Sequence, residues 1–158
     1  MATTIDTPAL LQSDRQQTAS IRLQMPRADI QKEMGPAIQE LMATIAAQGV
    51  VPAGPLISHH FRIDPAVFDF EVSIPVNLPV QASGRVVPSE LPAALVARTN
   101  YRGPYEKLGD AWCEFQQWIK AQGHETAGGP WERYLKGPES GADAAQWLTE
   151  LNQPIKRT

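Results

Sequence analysis

The sequence predicts an α+β fold in which one β-α-β-β unit occurs twice along the chain. An internal repeat, two matching helical stripes and strand-like runs beside each stripe support this prediction. The repeat is plainest between residues 43–54 and 117–128, where Gly49 aligns with Gly123 at an offset of 74 residues. At that offset nine of the 35 positions 27–61 are identical, against about two expected by chance from average residue usage. We therefore expect the two halves of the chain to fold alike.

Each repeat is expected to contain one amphipathic helix, over residues 27–48 and 104–122. Apolar residues spaced by four, three and four positions form a single stripe on each predicted helix. A glycine follows each stripe, at the position where glycine commonly ends a helix. The stripes consist of Met34, Ile38, Leu41 and Ile45 in the first repeat and Leu108, Trp112, Phe115 and Ile119 in the second. Because Trp112 aligns with Ile38, we expect it to pack in the core.

Strand-like runs lie on both sides of each predicted helix. Residues 20–25 correspond to 93–99, residues 55–63 to 131–136, and residues 67–76 to 146–155. Two such units with approximate two-fold symmetry make an antiparallel sheet with both helices on one face, and we expect a ligand groove on the other face, between the repeats. The predicted domain is residues 20–158, with repeats 20–76 and 93–155 joined by the Pro-rich segment 77–92. Residues 1–19 are polar and lack period, so we expect a flexible arm there.

Composition restricts the classes of function. The 158 residues carry a formal net charge of −3, which gives no general electrostatic reason to bind nucleic acid. No apolar run approaches the roughly 18 residues of a membrane span. The single cysteine, Cys113, excludes an internal disulfide and a cysteine-based metal cluster, and it fits a cytoplasmic location. We therefore expect no membrane partner, no direct binding of nucleic acid and no cofactor.

The second repeat carries the motifs of a known family. YRGPYEKLGDAW (101–112), WERYL (131–135) and TEL (149–151) before a Pro-Ile pair resemble the GyrI-like, or bacterial effector-binding, domain family, and the similarity covers residues 20–156. The resemblance implies the duplicated βαββ fold that the family shares with SOUL haem-binding proteins. It also implies one of the family's functions. These include drug sensing in transcription activators, stand-alone binding of small molecules, gyrase inhibition and hydrolysis of cyclopropane-bearing toxins.

The resemblance singles out one acid, Glu132. In drug-sensing members of the family, a carboxylate on the strand after the second helix lies among aromatic rings in the binding groove. The Glu-x-Tyr motif carries that role onto Glu132, with Tyr134 beside it. A carboxylate surrounded by aromatic rings attracts a flat cation. The last strand reads Glu150-Leu151-Asn152, where the family often has Glu-x-Tyr, so one expected pocket aromatic is absent.

The other candidates for the ligand site are Tyr101, Tyr105, His60 and Trp147. The two tyrosines flank the start of the second helix, where they would either close the groove or pack at the helix start. Trp147 begins the last strand, where it would line the rim of the groove or cap the sheet edge. His60 follows His59, but adjacent strand residues point to opposite faces, so the pair cannot chelate one metal ion. We therefore predict no metal site.

Three functions are compatible with these residues. The first is a stand-alone protein that binds hydrophobic, aromatic compounds, including cationic ones, and senses or sequesters xenobiotics, with Glu132 supplying charge complementarity. The second is a hydrolase of strained electrophiles in which Glu132 is the general base and Tyr134 donates a hydrogen bond to the leaving oxygen. The third is a gyrase-inhibitor-like module that binds a protein. No motif of nucleophilic catalysis, nucleotide binding or zinc proteolysis occurs in the sequence.

Overall fold

Eight β-strands and two α-helices make up the part of the chain that the computed structural model describes, residues 5–63, 66–137 and 141–156. In chain order they are β1 (Ala9–Ser13), β2 (Gln16–Pro26), α1 (Ile30–Ala47), β3 (Ile57–Ile63), β4 (Val67–Pro75), β5 (Val87–Leu91), β6 (Ala94–Arg102), α2 (Leu108–Ala121), β7 (Trp131–Lys136) and β8 (Leu148–Pro154). Short 3-10 turns, Arg27–Asp29 and Tyr105–Lys107, lead into α1 and α2, and a third, Ala144–Gln146, precedes β8. Neither helix is long and apolar enough to cross a membrane.

The chain divides into two compact units, each with one helix and four antiparallel strands. The α1 unit is Asp14–Ala93, and its strands follow the order β3-β4-β2-β5. The α2 unit combines Met1–Ser13 with Ala94–Thr158, and its strands follow the order β1-β6-β8-β7. The predicted α+β class and the repeated βαββ unit are therefore confirmed.

Each repeat begins with one strand more than the sequence predicts. β1 lies where we expect a flexible arm and β5 where we expect only a linker, so both expectations are wrong for these residues. β1 precedes the first repeat but pairs with β6 and belongs to the α2 unit. β5 precedes the second repeat but pairs with β2 and belongs to the α1 unit. Both strands have only five residues without apolar alternation, and Pro88 interrupts β5, so neither gives a strand signal in the sequence. The first four residues of the expected arm lie outside the described part of the chain.

The predicted stripes face the sheets and form two separate cores. Leu41 and Ile45 of α1 are buried in the core of the α1 unit, together with apolar side chains of β2 and β4. Phe115 and Ile119 of α2 are buried in the core of the α2 unit, together with side chains of β6 and β8. Trp112 packs against this second core from its margin and is only partly buried. Both helices therefore bury the faces that their apolar period predicts.

The strand register fixes the face to which Glu132 points. Leu151 of β8 packs in the α2 core and lies opposite Glu132, and Thr149 lies opposite Tyr134. Directly opposed residues of an antiparallel pair point to the same face. Glu132 and Tyr134 therefore lie on the side of the sheet that α2 covers. The expectation that these residues line the face away from the helices is wrong, because pairing with β8 places them beside the helix-facing side chains.

The connection from β6 to α2 depends on Gly103. Its φ is +145°, where residues with a side chain are strained, and a Cβ atom there would lie 2.6 Å from the hydroxyl oxygen of Tyr101. That hydroxyl donates to the carbonyl oxygen of Pro104 at 2.8 Å, which holds the chain as it turns into the helix. The close approach of the phenol to the backbone therefore requires glycine at this position.

We expect Gly103→Ala to lower the free energy of unfolding by about 2 kcal/mol, because it strains the backbone and displaces the Tyr101 hydroxyl. Gly109→Ala is the matched control, since a Cβ atom at that helical position meets nothing within 4 Å. Alanine there should raise the free energy of unfolding by about 0.5–1 kcal/mol through its helix propensity. Urea unfolding of both variants measures the two changes in the free energy of unfolding. Equal effects of the two substitutions would contradict the requirement for glycine at position 103.

Candidate ligand site

Glu132 is a buried carboxylate, with only 7% of the residue exposed. Its Oε2 accepts a hydrogen bond from Nε1 of Trp112 at 2.6 Å, and its Oε1 accepts one from the Tyr134 hydroxyl at 2.7 Å. Both distances are as short as hydrogen bonds to a charged acceptor usually are. The two donors are neutral, so they hold the carboxylate in place without cancelling a negative charge.

Two different elements supply these donors. Trp112 lies in the second turn of α2, and its ring packs 5.7 Å from the ring of the buried Phe115. Tyr134 lies on β7, two residues after Glu132 and on the same face. Trp112 therefore packs against the core, as the repeat predicts, and it also binds the carboxylate, which the sequence interpretation misses. The available signal is chemical: a buried indole N–H needs an acceptor, and Glu132 is a buried acid nearby in the fold.

Two further predicted residues extend the aromatic surface outward from Tyr134. The ring of Tyr105 lies 5.7 Å from that of Tyr134 and 4.8 Å from that of Trp147. Tyr105 is 36% exposed, so this surface reaches the solvent. The indole N–H of Trp147 donates to the carbonyl oxygen of Ala142 at 3.2 Å. We call this set the acid–aromatic cluster; it consists of Glu132, Trp112, Tyr134, Tyr105 and Trp147, all in the α2 unit.

Tyr101 lies outside this cluster. It is 2% exposed and packs in the α2 core, and its hydroxyl donates to Pro104. Burial raises the pKa of Tyr101 above its ordinary value, and the nearby acids Asp110 and Glu106 raise it further. Of the two roles that the sequence allows, the structure therefore gives Tyr101 the packing role at the helix start.

His60 belongs to the α1 unit and lies on the face that α1 covers. Its ring stacks on Phe70, a core residue, with centroids 5.3 Å apart and planes at 29°. His59 instead contacts Phe61 at 5.0 Å, as expected if neighbouring strand residues point to opposite faces. Across residues 5–63, 66–137 and 141–156, no three His, Cys, Asp or Glu side chains come together in a way that could hold a metal ion. His60 is thus an aromatic packing residue in the unit that lacks Glu132.

Asn152, which stands in place of the family's last aromatic, faces away from α2. It is fully buried, its Oδ1 accepts from Nε of Arg98 at 2.6 Å, and its Nδ2 donates to Oε1 of Glu150 at 3.0 Å. Arg133 donates to the same oxygen of Glu150 at 2.7 Å. Burial lowers the pKa of Arg98, although Glu150 opposes this effect. The arginine next to Glu132 in sequence therefore pairs with an acid on the opposite face of the sheet.

A cavity of about 280 Å³ lies in the α1 unit, at β2, β5 and Pro79. Five of the seven residues that line it are polar, and they include Arg15 and Glu90, which form an exposed ion pair at 3.0 Å. Among the described residues, no aromatic side chain and none of the predicted site residues line it. The acid–aromatic cluster, in contrast, presents rings that an aromatic compound could contact.

Several solved structures share this fold at low sequence identity. The EcmrR C-terminal domain matches with a TM-score of 0.86 at 23% identity, over 96% of this chain and 98% of that chain. In the EcmrR–DNA complex the TM-score is 0.85 at 23% identity, over 96% of this chain, and the match spans only 58% of the EcmrR chain. SAV2435 bound to tetraphenylphosphonium matches with a TM-score of 0.64 at 12% identity, over 96% of this chain and 94% of that chain. A hydrolase from Listeria innocua matches with a TM-score of 0.67 at 16% identity, over 94% and 91% of the two chains.

At 23% sequence identity or less, these matches show that the fold is shared. A search of the curated proteins finds no match. The family model of the GyrI-like small molecule binding domain, however, matches residues 8–156, which is nearly the whole chain. The duplicated βαββ fold agrees with that match. The chain therefore belongs to the GyrI-like small-molecule binding domain family.

Proposed function

We propose that this protein binds hydrophobic, aromatic small molecules that carry a positive charge, and that they bind at the acid–aromatic cluster. The observation behind this proposal is a buried carboxylate, Glu132, whose two bonding partners are both neutral. Such a site suits a protein that senses or sequesters xenobiotic compounds. The ligand's charge would face Glu132, and its rings would contact Tyr134, Tyr105 and Trp147.

The fold does not need a charge at this position. Burying a carboxylate without a counter-ion is costly, and hydrogen bonds from neutral donors offset only part of that cost. In the α1 unit the repeat places Ser58 where the α2 unit has Glu132, and Ser58 is also buried, at 2% exposure. The fold therefore accommodates a small neutral side chain at the equivalent position. The acid at position 132 is better explained by a cation that arrives with a ligand.

The surrounding rings supply contact area and further attraction for a cation. A cation over an aromatic face gains on the order of 0.5–2 kcal/mol per ring. The rings of Tyr105 and Trp147 lie 4.8 Å apart near the surface, where a flat ligand can reach them. SAV2435, which has the same fold, was solved with tetraphenylphosphonium bound, and that compound is an aromatic cation. This likeness supports the ligand class that the cluster suggests.

The hydrolase alternative makes a different demand on the same carboxylate. A general base must hold a water molecule at a free position of one carboxylate oxygen. Each oxygen of Glu132 already accepts a short hydrogen bond, from Trp112 or from Tyr134, and burial of the residue covers most of the remaining surface of the carboxylate. The contacts therefore favour the role of a charge partner over that of a base. Incubation with a cyclopropane-bearing electrophile tests the alternative, because a ring-opened product that Glu132→Gln abolishes would favour hydrolysis.

We expect Glu132→Gln to leave the melting temperature unchanged or to raise it. The amide oxygen can accept from Trp112 and the amide nitrogen can donate to the hydroxyl oxygen of Tyr134, while the buried charge is removed. Glu132→Leu should instead lower the free energy of unfolding by about 1–3 kcal/mol, because it leaves both donors without an acceptor. Thermal and urea unfolding measure both effects. A melting temperature of Glu132→Gln far below that of the wild type would show that the charge itself stabilises the fold.

We expect the wild type to bind naphthylmethyl-trimethylammonium about tenfold more tightly than its neutral isostere neopentylnaphthalene, because only the cation is attracted to Glu132 and the rings. Glu132→Gln should bind the two compounds with nearly equal affinity. Glu125→Gln is the matched control, since it removes one negative charge from an exposed ion pair of the same unit. Titration calorimetry measures the affinities of the three proteins for the two compounds. A cation preference that survives in Glu132→Gln would contradict the proposal.

A further inference from the structure

We propose that Trp112 makes the site select cations that have no hydrogen-bond donor, such as quaternary ammonium ions, over protonated amines that carry the same ring. This inference rests on the proposed function of the acid–aromatic cluster. Trp112 acts here as a specificity-determining residue, because it occupies the carboxylate oxygen that an amine would otherwise bind.

The carboxylate of Glu132 has little acceptor capacity left for a ligand. Oε2 is occupied by the indole N–H of Trp112 and Oε1 by the hydroxyl of Tyr134. A carboxylate has further lone pairs, but only 7% of the residue is exposed, so the protein covers most of its surface. The charge of Glu132 can therefore act on a bound cation across a short distance, whereas a direct hydrogen bond from the ligand has no open position.

This arrangement treats two kinds of cation differently. A quaternary ammonium ion brings charge and methyl groups into the site and loses no hydrogen bond to water. A protonated amine must leave water with its N–H unpaired, which costs affinity in the same way as any buried donor without an acceptor. The two ligands gain the same attraction from the carboxylate charge and the rings. The difference in affinity between the quaternary ion and the amine therefore reports whether a carboxylate oxygen of Glu132 can accept a hydrogen bond from the ligand.

Trp112 keeps the oxygen that it occupies closed to a ligand. An indole N–H can only donate a hydrogen bond, so Trp112 offers an incoming N–H no acceptor in place of that oxygen. The Trp112 ring also packs against Phe115, so it cannot easily turn away. Oε2 of Glu132 therefore stays closed to an incoming N–H, and Trp112 sets the selectivity at this oxygen.

The repeat supports this role, because the indole and the acid occur together. The α2 unit has Trp112 on its helix and Glu132 on its strand, and the repeat offset places Ile38 and Ser58 at the same positions of the α1 unit. Ile38 packs against the α1 core, and its side chain has no hydrogen-bond donor. Core packing at this helical position is thus achieved without an N–H group. The indole is needed only in the unit where a carboxylate faces it.

The test compares naphthylmethyl-trimethylammonium with naphthylmethyl-dimethylamine, which is protonated at neutral pH. Wild-type protein should bind the quaternary ion about tenfold more tightly than the amine, the effect of burying one unpaired donor. Trp112→Phe keeps a ring at the core margin but opens Oε2, so the ratio should fall to roughly twofold as the amine gains a hydrogen bond. Trp118→Phe is the matched control, since Trp118 lies on α2 and packs partly buried against the same core. It should keep the tenfold ratio.

Each outcome separates the inference from the proposed function. If Trp112→Phe weakens both cations equally, Trp112 has only a structural role and the inference is wrong. The wild type could bind both cations with equal affinity and prefer both to the neutral isostere. If Glu132→Gln then loses that preference, the proposed function stands and the inference fails. If the wild type binds neither cation, the proposed function itself fails. The wild-type ratio needs no variant, so the inference can be overturned even if Trp112→Phe does not fold.

Discussion

The hydrogen bond between Trp112 and Glu132 joins the second helix to β7 and fixes the chemistry of the α2 unit. It measures 2.6 Å and connects two residues that lie 20 positions apart in sequence. At one end the indole packs against the core, and at the other it occupies an oxygen of a buried acid. The position of the helix on the sheet therefore determines where the carboxylate lies and which of its oxygens the indole occupies. Core packing and the proposed ligand recognition in this unit depend on the same side chain.

Duplication explains how such a site could arise without a new fold. The two repeats share their helical stripes and strand positions, and both bury the side chain at the equivalent position of β3 and β7, Ser58 and Glu132. In the α1 unit these positions hold Ile38, Ser58 and His60, and His60 stacks on Phe70. The α2 unit has an indole, a carboxylate and a phenol at the same positions. The same three positions thus hold neutral side chains in one unit and an acid bonded to an indole and a phenol in the other.

The sequence predicts the features that depend on local period and misses those that depend on pairing. Phe115 and Ile119 recur at helical spacing, and the repeat offset supports the same helix twice, so both helices follow from the sequence. β1 and β5 do not, because five residues without alternation form a strand only when β6 or β2 is already beside them. The face of Glu132 follows from its register with Leu151, and no local pattern contains that register. Within the candidate site, Glu132 and Tyr134 follow from the family motif, whereas the contact with Trp112 requires the packing of α2.

The acid and the outer rings of the cluster are held by different interactions. Glu132 is positioned by Trp112 and Tyr134. The outer rings, Tyr105 and Trp147, depend instead on the backbone where β6 leads into α2, because the N–H of Gly103 donates to the carbonyl oxygen of Trp147 at 2.9 Å.

That connection also carries Tyr101, whose buried phenol bonds Pro104, the residue before Tyr105. A change in the connection would therefore shift the outer rings and leave the carboxylate bonded to Trp112. Because the carboxylate and the outer rings are positioned by separate parts of the fold, the proposed site could change the shape of its preferred ligand independently of the ligand's charge.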